Sequence, residues 1–166
     1  MNASDDFIKA KNTVFLLLKF RQRSEYEIAQ HLRRKQISGE TIKEVIRFFK
    51  KANLVNDNAF AKSWVQARLL KPFGAQRIRL ELRQKGIRDD IIAEQLRLID
   101  HENIEFKAVA TLVRKCILKY QRLDRTKLKR RTIEYLLRRG FKAGMILGVL
   151  NKILNERNDL GTYDSE

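Results

Sequence analysis

Leu32-Arg-Arg-Lys-Gln-Ile37 returns as Leu82-Arg-Gln-Lys-Gly-Ile87 and again as Leu136-Leu-Arg-Arg-Gly-Phe141. The last residue of each phrase serves as an anchor. Five before it stand Leu32, Leu82 and Leu136, and two before it Lys35, Lys85 and Arg139. Five after it come Ile42, Ile92 and Ile146, nine after it Ile46, Leu96 and Leu150, and twelve after it Phe49, Ile99 and Ile153. Steps of four and seven among apolar positions put them on one face of a helix. The anchors are 50 and 54 residues apart. A period of that size is the mark of a helical repeat.

Around each phrase the chain divides into three helices. In the first repeat, Ser4 with Asp5 and Asp6 can start a helix bearing Phe7, Val14, Leu17 and Leu18. Ser24-Glu-Tyr-Glu27 has capping-box spacing and starts a second helix to about Lys35. Ser38 caps a third, bearing Ile42, Val45, Ile46 and Phe49. In the second repeat, Asp57 is expected to cap a helix bearing Phe60, Ala61, Trp64, Val65 and Arg68, and Pro72 and Gly74 break it. The next helix holds Ile78 and Leu82 and stops at Gly86, which suits a left-handed cap. Asp89 and Asp90 fall in the first turn of the one after, where the helix dipole favours them. In the third repeat, Asn103 opens a helix with Phe106, Val109, Ala110, Val113 and Ile117. A second runs from about Arg125 to Arg139 and ends at Gly140. The last holds Met145, Ile146, Val149, Leu150 and Ile153, with a polar tail after Asn155.

Composition agrees. One Pro and seven Gly in 166 residues cannot supply the tight turns of a β domain. The fold class is therefore all-α: three tandem three-helix repeats, 1–55, 56–102 and 103–155, with a flexible tail over 156–166. An elongated, curved row is expected, because a three-helix repeat has a thin core and gains burial from a neighbour. The longest run of apolar residues and Gly, Ala143 to Leu150, is far short of the ~20 residues that cross a membrane. One cysteine, Cys116, cannot form an internal disulfide and fits a reducing cytosol. A cytoplasmic protein is expected. No leftover apolar face is evident in the pattern, so a monomer is expected too.

The formal charge is +16. It divides as +6 up to Val55, +2 from Asn56 to Glu102 and +8 beyond. Arg114 to Lys142 holds 12 basic residues against Asp124 and Glu134. Clustered cations repel one another, which points to a polyanion as partner, and nucleic acid is the commonest. No zinc spacing, basic zipper or aromatic ribonucleoprotein motif is present, so contact is expected to be with the phosphate backbone.

Chemistry is not legible. The two histidines, His31 and His101, have no metal-ligand spacing. His31 reads as a surface or boundary side chain, and His101 as a residue at a helix C-terminus. Gly144 and Gly148, four apart, read as a close helix contact rather than a phosphate cradle. Cys116 and Trp64 read as packing residues. Neither catalytic residue, metal nor cofactor is expected, and the chain is not expected to be an enzyme.

Asn53-Leu-Val-Asn-Asp-Asn-Ala-Phe60-Ala-Lys-Ser-Trp64-Val-Gln-Ala-Arg68 and Gly74-Ala-Gln-Arg77-Ile78-Arg-Leu-Glu81-Leu82-Arg-Gln-Lys85-Gly86-Ile87 resemble the signature of the RecX family. Arg23-Ser24-Glu25-Tyr-Glu27, Lys119-Tyr120 and Tyr135-Leu-Leu-Arg-Arg139-Gly140-Phe141 fit as well. Two departures stand out: Asn56 replaces the first of a usual acidic pair, and Gln36 stands where the family often has Gly. The resemblance implies three tandem three-helix repeats and a regulator of the RecA recombinase, usually an inhibitor. It implies a protein lodged in the groove of the RecA–DNA filament, slowing ATP hydrolysis and strand exchange in recombination and repair, with some members binding DNA directly.

The partners expected are therefore the RecA filament and single- or double-stranded DNA. The expected contact residues are Arg77, Arg79, Arg83 and Lys85 in the second repeat. In the third they are Arg114, Lys115, Lys127, Lys129, Arg130, Arg131, Arg138 and Arg139. Arg68 is a signature residue expected to pair with Asp57 or Glu81. The rival readings are a general DNA-binding architectural protein without RecA specificity and a protein-only helical scaffold.

Overall fold

The computed structural model describes residues 3–97 and 101–161. Among them every regular element is an α-helix. The first three are α1 (Ala3–Phe20), α2 (Glu25–Arg34) and α3 (Gly39–Lys51). The next three are α4 (Asp57–Leu69), α5 (Ala75–Gln84) and α6 (Asp89–Arg97), followed by α7 (His101–Lys119), α8 (Arg125–Arg138) and α9 (Ala143–Gly161). Ile99 of the repeat pattern, the joint at Asp100 and residues 162–166 lie outside the described residues. The tail expected from residue 156 is helical as far as Gly161.

The repeat reads directly in burial. Leu32, Leu82 and Leu136 are fully enclosed, and Ile42, Ile92 and Ile146 nearly or fully so. The three phrases also end on one backbone geometry. The N–H of Ile37, Ile87 and Phe141 donates to the carbonyl of Leu32, Leu82 and Leu136, at 3.2, 3.1 and 3.3 Å. The residue before each anchor, Gln36, Gly86 and Gly140, has φ of 60, 73 and 84°. This is a helix end closed by a left-handed residue, the 6→1 bond satisfying a last-turn carbonyl. Glycine enters that conformation freely, whereas a residue with a Cβ is penalised. Gln36 therefore carries a local cost that its two counterparts do not. Gln36→Gly is expected to stabilise the protein by ~0.5–1 kcal/mol, the left-handed penalty less the extra chain entropy of glycine. A urea midpoint that stays put or falls would contradict this.

The chain forms two compact units, Met1–Gln66 with Glu81–Gln95, and Ala67–Leu80 with Leu96–Glu166. The first is built on Ala10 and Val14 of α1, Ile28 and Leu32 of α2, and Ile42, Val45 and Phe49 of α3. The second is built on Val109, Val113 and Ile117 of α7, Leu128 and Leu136 of α8, Phe141, and Ile146, Leu150 and Ile153 of α9. The middle helix triplet contributes to both, since α4 and α5 are each divided between the units.

Several helix starts follow the sequence and others correct it. Ser24 Oγ accepts from the N–H of Glu27 at 3.1 Å, and Ser38 Oγ from Thr41 at 3.2 Å. The cap of α4 is Asn56, not Asp57: its Oδ1 accepts from the N–H groups of Asn58 and Ala59 at 2.9 and 3.1 Å. Asparagine caps as well as aspartate, so the departure from an acidic pair leaves the helix start intact. Asp57 instead accepts from the N–H of Glu25 at 2.9 Å. α7 opens at His101, so that histidine sits at a helix N-terminus, not at the C-terminus assigned from the pattern.

Gly144 and Gly148 are exposed, and a Cβ added at either would meet nothing within 4 Å, so they are not a close helix contact. Phe106, expected on the packed face of α7, is exposed, while its neighbour Glu105 is buried. The reason is polar: Glu105 Oε1 accepts from the N–H of Ala75 at 2.5 Å, satisfying an orphan donor at the start of α5. Finally, α1 does leave an apolar stripe open. Ile8, Leu16 and Phe20 are 55, 61 and 82% exposed. The premise behind the monomer expectation therefore does not hold.

Candidate nucleic-acid interface

In the second unit α8 is two-faced. Leu128, Thr132 and Leu136, spaced by four, are buried. Lys127, Arg130, Arg131, Glu134 and Arg138 recur at steps of three and four on the other side, and all are exposed. Asp124 caps the helix, its Oδ1 accepting from the N–H of Lys127 at 2.9 Å, and its other oxygen lies 3.1 Å from Lys127 Nζ. The cap bond, with the Lys127 side chain beside it, holds the Asp124 carboxyl below its ordinary value. Lys129 is half-buried and donates to Asn151 Oδ1 at 3.1 Å.

Tyr120 joins this stripe to α7. The Arg131 guanidinium lies 5.8 Å and the Lys119 ammonium 5.6 Å from its ring centre. The π face of an aromatic ring attracts cations, so one half-buried ring holds a cation from each helix. Arg114 and Lys115 are exposed on α7. Lys119 and Tyr120 were not among the contact residues expected from sequence. The signal was the Lys119-Tyr120 pair, which the charge count treated only as part of a basic run.

The other expected contact residues are placed differently. Arg139 is half-buried and held within the second unit. Its Nη1 donates to the carbonyl of Pro72 at 3.2 Å, and its guanidinium lies 5.4 and 5.0 Å from the rings of Phe73 and Tyr135. Arg77 is exposed, with its backbone against Gly140, and Arg79 is partly exposed. Arg83 and Lys85 belong to the first unit. Arg83 is exposed and makes a two-point pair with Asp89, at 2.7 and 3.1 Å. Lys85 reaches Glu27 Oε1 at 2.6 Å and lies 5.2 Å from the Trp64 ring centre. Trp64 is itself only half-buried, stacked on Phe60 and donating its Nε1–H to Glu81 at 3.1 Å. Arg68 lies 5.7 Å from the ring centre of Phe73.

Glu27 also binds Arg21 through both oxygens, at 2.9 and 3.0 Å. Burial pushes its carboxyl up, but Arg21 and Lys85 outweigh that and hold it at about 2, against an ordinary 4.5. A depressed folded-state value means that Glu27 stabilises the fold above the unfolded value, and that this is lost as pH falls through the folded one. Glu27→Gln should therefore flatten the stability profile between pH 4.5 and about 2. Parallel profiles for variant and parent in acid titrations of urea unfolding would refute this.

Among the described residues no group of three or more His, Cys, Asp or Glu is placed to hold a metal. Burial pushes the Cys116 thiol up, away from the reactive thiolate. Among the described residues no helix is long and apolar enough to cross a membrane.

Tandem helix triplets, the last bearing an exposed cationic stripe on α8, define an all-helical repeat protein. Comparison with known proteins makes this specific. The family model described as the first three-helix domain of RecX matches residues 10–49, and that for the second matches 56–96. The protein named regulatory protein RecX of Amycolatopsis mediterranei is 34% identical over 89% of this chain and 85% of its own length. Its namesake in Clostridium perfringens is 30% identical over 91% of this chain and 71% of its own length. The crystal structure of RecX from Lactobacillus salivarius superposes with a TM-score of 0.80 at 26% identity, covering 90% of this chain and 97% of that one. The chain belongs to the RecX family.

Proposed function

We propose that this protein regulates the RecA recombinase by binding the RecA–DNA filament in the cytoplasm. It lodges in the filament groove and slows ATP hydrolysis and strand exchange. The relatives named regulatory protein RecX support the regulatory role. The single observation that carries the contact is the stripe Lys127, Arg130, Arg131 and Arg138, joined over Tyr120 to Lys119. Two carboxylates temper it: Glu134 on the same side of α8, and Asp124, which pairs with Lys127. Such a stripe repels itself in the free protein and is relieved when phosphates bind it and shed their own counterions into solvent. Arg114 and Lys115 extend the same contact set. Arg139 and Lys85 act inside the protein, and Arg83 reaches a partner only by giving up Asp89.

The test is RecA's DNA-dependent ATPase, with filament length as a second readout, at two salt concentrations. Wild type should inhibit below one copy per RecA. Arg130→Glu with Arg131→Glu should need ~10–100-fold more protein, and the salt slope of binding should fall by about 2. Equal potency of variant and wild type would remove the α8 contact. Binding to bare DNA with no effect on RecA at any ratio would favour the general DNA-binding reading.

A further inference from the structure

We propose that the first unit carries a separate pocket for a phosphate group, formed by Arg23, Tyr26, Gln30, His31 and Arg34. These residues line one cleft of about 330 Å³. The helix period creates it: Tyr26, Gln30, His31 and Arg34 share one side of α2, while Ile28, Ala29 and Leu32 are buried on the other. Arg23, just before the helix, completes it.

Three features mark the cleft as a receptor rather than a solvated basic face. First, Arg23 is half-buried and its Nε–H is enclosed by protein without a partner, so a ligand that draws the guanidinium into the cleft relieves an unpaired donor. A buried charged donor left unpaired is costly and rare. Second, the cleft's acid is already engaged. Glu27 is bound by Arg21 and Lys85, and no carboxylate among the described residues pairs with Arg23 or Arg34. Third, burial and then the cations Lys35, Arg23 and Arg34 hold His31 below its ordinary value. The ring is thus neutral at physiological pH and can take a proton when an anion arrives.

The chemistry favours phosphate. Two guanidinium forks, an imidazole able to charge, the Tyr26 hydroxyl and the Gln30 amide exceed what one carboxylate can accept. A phosphate offers more acceptor oxygens and up to two charges, and guanidinium forks match its geometry. The phosphate can be free or part of a nucleic-acid backbone. The proposal does not depend on the filament reading, which rests on α7 and α8.

The histidines report binding directly. The full-length protein would be titrated by proton NMR, with a His101→Gln variant assigning the His31 ring. The groups facing that ring are Arg23, Arg34, Lys35, Tyr26, Glu27 and Lys85. Inorganic phosphate at fixed ionic strength should move the His31 titration midpoint upward and saturably. Arg23→Gln and Arg34→Gln should each weaken the apparent affinity by ~10-fold or more, and Lys129→Gln should leave it unchanged. Arg34 is exposed, so its variant remains informative if Arg23→Gln fails to fold. The same movement with an oligothymidylate lacking terminal phosphates assigns the site to a nucleic-acid backbone. Movement with inorganic phosphate alone assigns it to a free ligand. A response no larger than sodium chloride gives at matched ionic strength, or one retained in both arginine variants, overturns the proposal.

Discussion

Gly140→Ala is expected to be among the most destabilising single substitutions in this chain, costing on the order of 3–5 kcal/mol. Two effects combine. Gly140 has φ of +84°, where an L side chain is strained. An added Cβ would also lie 2.3 Å from the amide nitrogen of Arg77 and 2.5 Å from its Cβ. Those atoms belong to the first turn of α5 and cannot rotate away as the tip of a flexible side chain could. The two helices would have to part, breaking the bonds that join them there. Gly74 N–H donates to the carbonyl of Arg139 at 2.9 Å, and Gln76 N–H to that of Gly140 at 3.3 Å. Gly74→Ala meets the same contact from the other side, its Cβ 2.2 Å from the Gly140 oxygen. Circular dichroism should show a melting point lower by ~10 °C or more for either variant. Gly144→Ala is the internal control. It lies in open space in the first turn of α9 and should gain at most ~0.5 kcal/mol, less than the helix-interior value. Gly140→Ala melting within a degree or two of wild type would show that this corner is not tight.

The second large effect concerns the repeat anchors. Phe141 is fully buried, Ile87 nearly so, and Ile37 only half-buried. Truncation should therefore cost ~3–5 kcal/mol for Phe141→Ala and ~2–4 for Ile87→Ala, and less for Ile37→Ala, whose site already admits water. Urea denaturation with a common slope would rank them. Ile37→Ala proving the most costly would mean that equivalent sequence positions are not equivalent in packing.

The repeat was legible because its signal is periodic and local. A leucine five before each anchor and an isoleucine five after it can be read without knowing what they touch, and all six are buried. Of the three repeat corners, Gly86 was legible as left-handed and Gly140 as a helix end, because glycine marks them. The junction chemistry was not. Ser24 Oγ–H donates to the carbonyl of Lys85 at 2.6 Å, 61 residues away. Tyr26 packs where a Cβ on Gly86 would stand, 2.3 Å from its own Cβ. In sequence these are only a cap and a helix stop. Ser24 and Gly74 each stand thirteen residues before their anchor, and Lys85 and Arg139 each stand two before theirs. The same corner is thus used twice, once in each unit, through a hydroxyl in one and a backbone amide in the other. Both bonds end on a backbone carbonyl, so they do not depend on the basic side chain. The Lys85 side chain is tied to Glu27 and that of Arg139 to the Pro72 carbonyl, partners that a basic residue in a sequence does not reveal. In the candidate interface, the α8 stripe was visible from the density of cations, but the role of Tyr120 was not, because a lone aromatic gives no periodic signal.

The division of α4 and α5 between the two units bears on how the chain is made. Its first unit is not a continuous stretch: it needs Glu81–Gln95 as well as everything up to Gln66. Its α1–α3 core lies within residues 10–55, but residues 67–80 are made before its last part, Glu81–Gln95. Those fourteen residues then await Leu96 onward, the other part of their own unit. A chain ending at the first period boundary, Val55, would lack Glu81–Gln95 of the first unit, and one ending at Glu102 would lack most of the second.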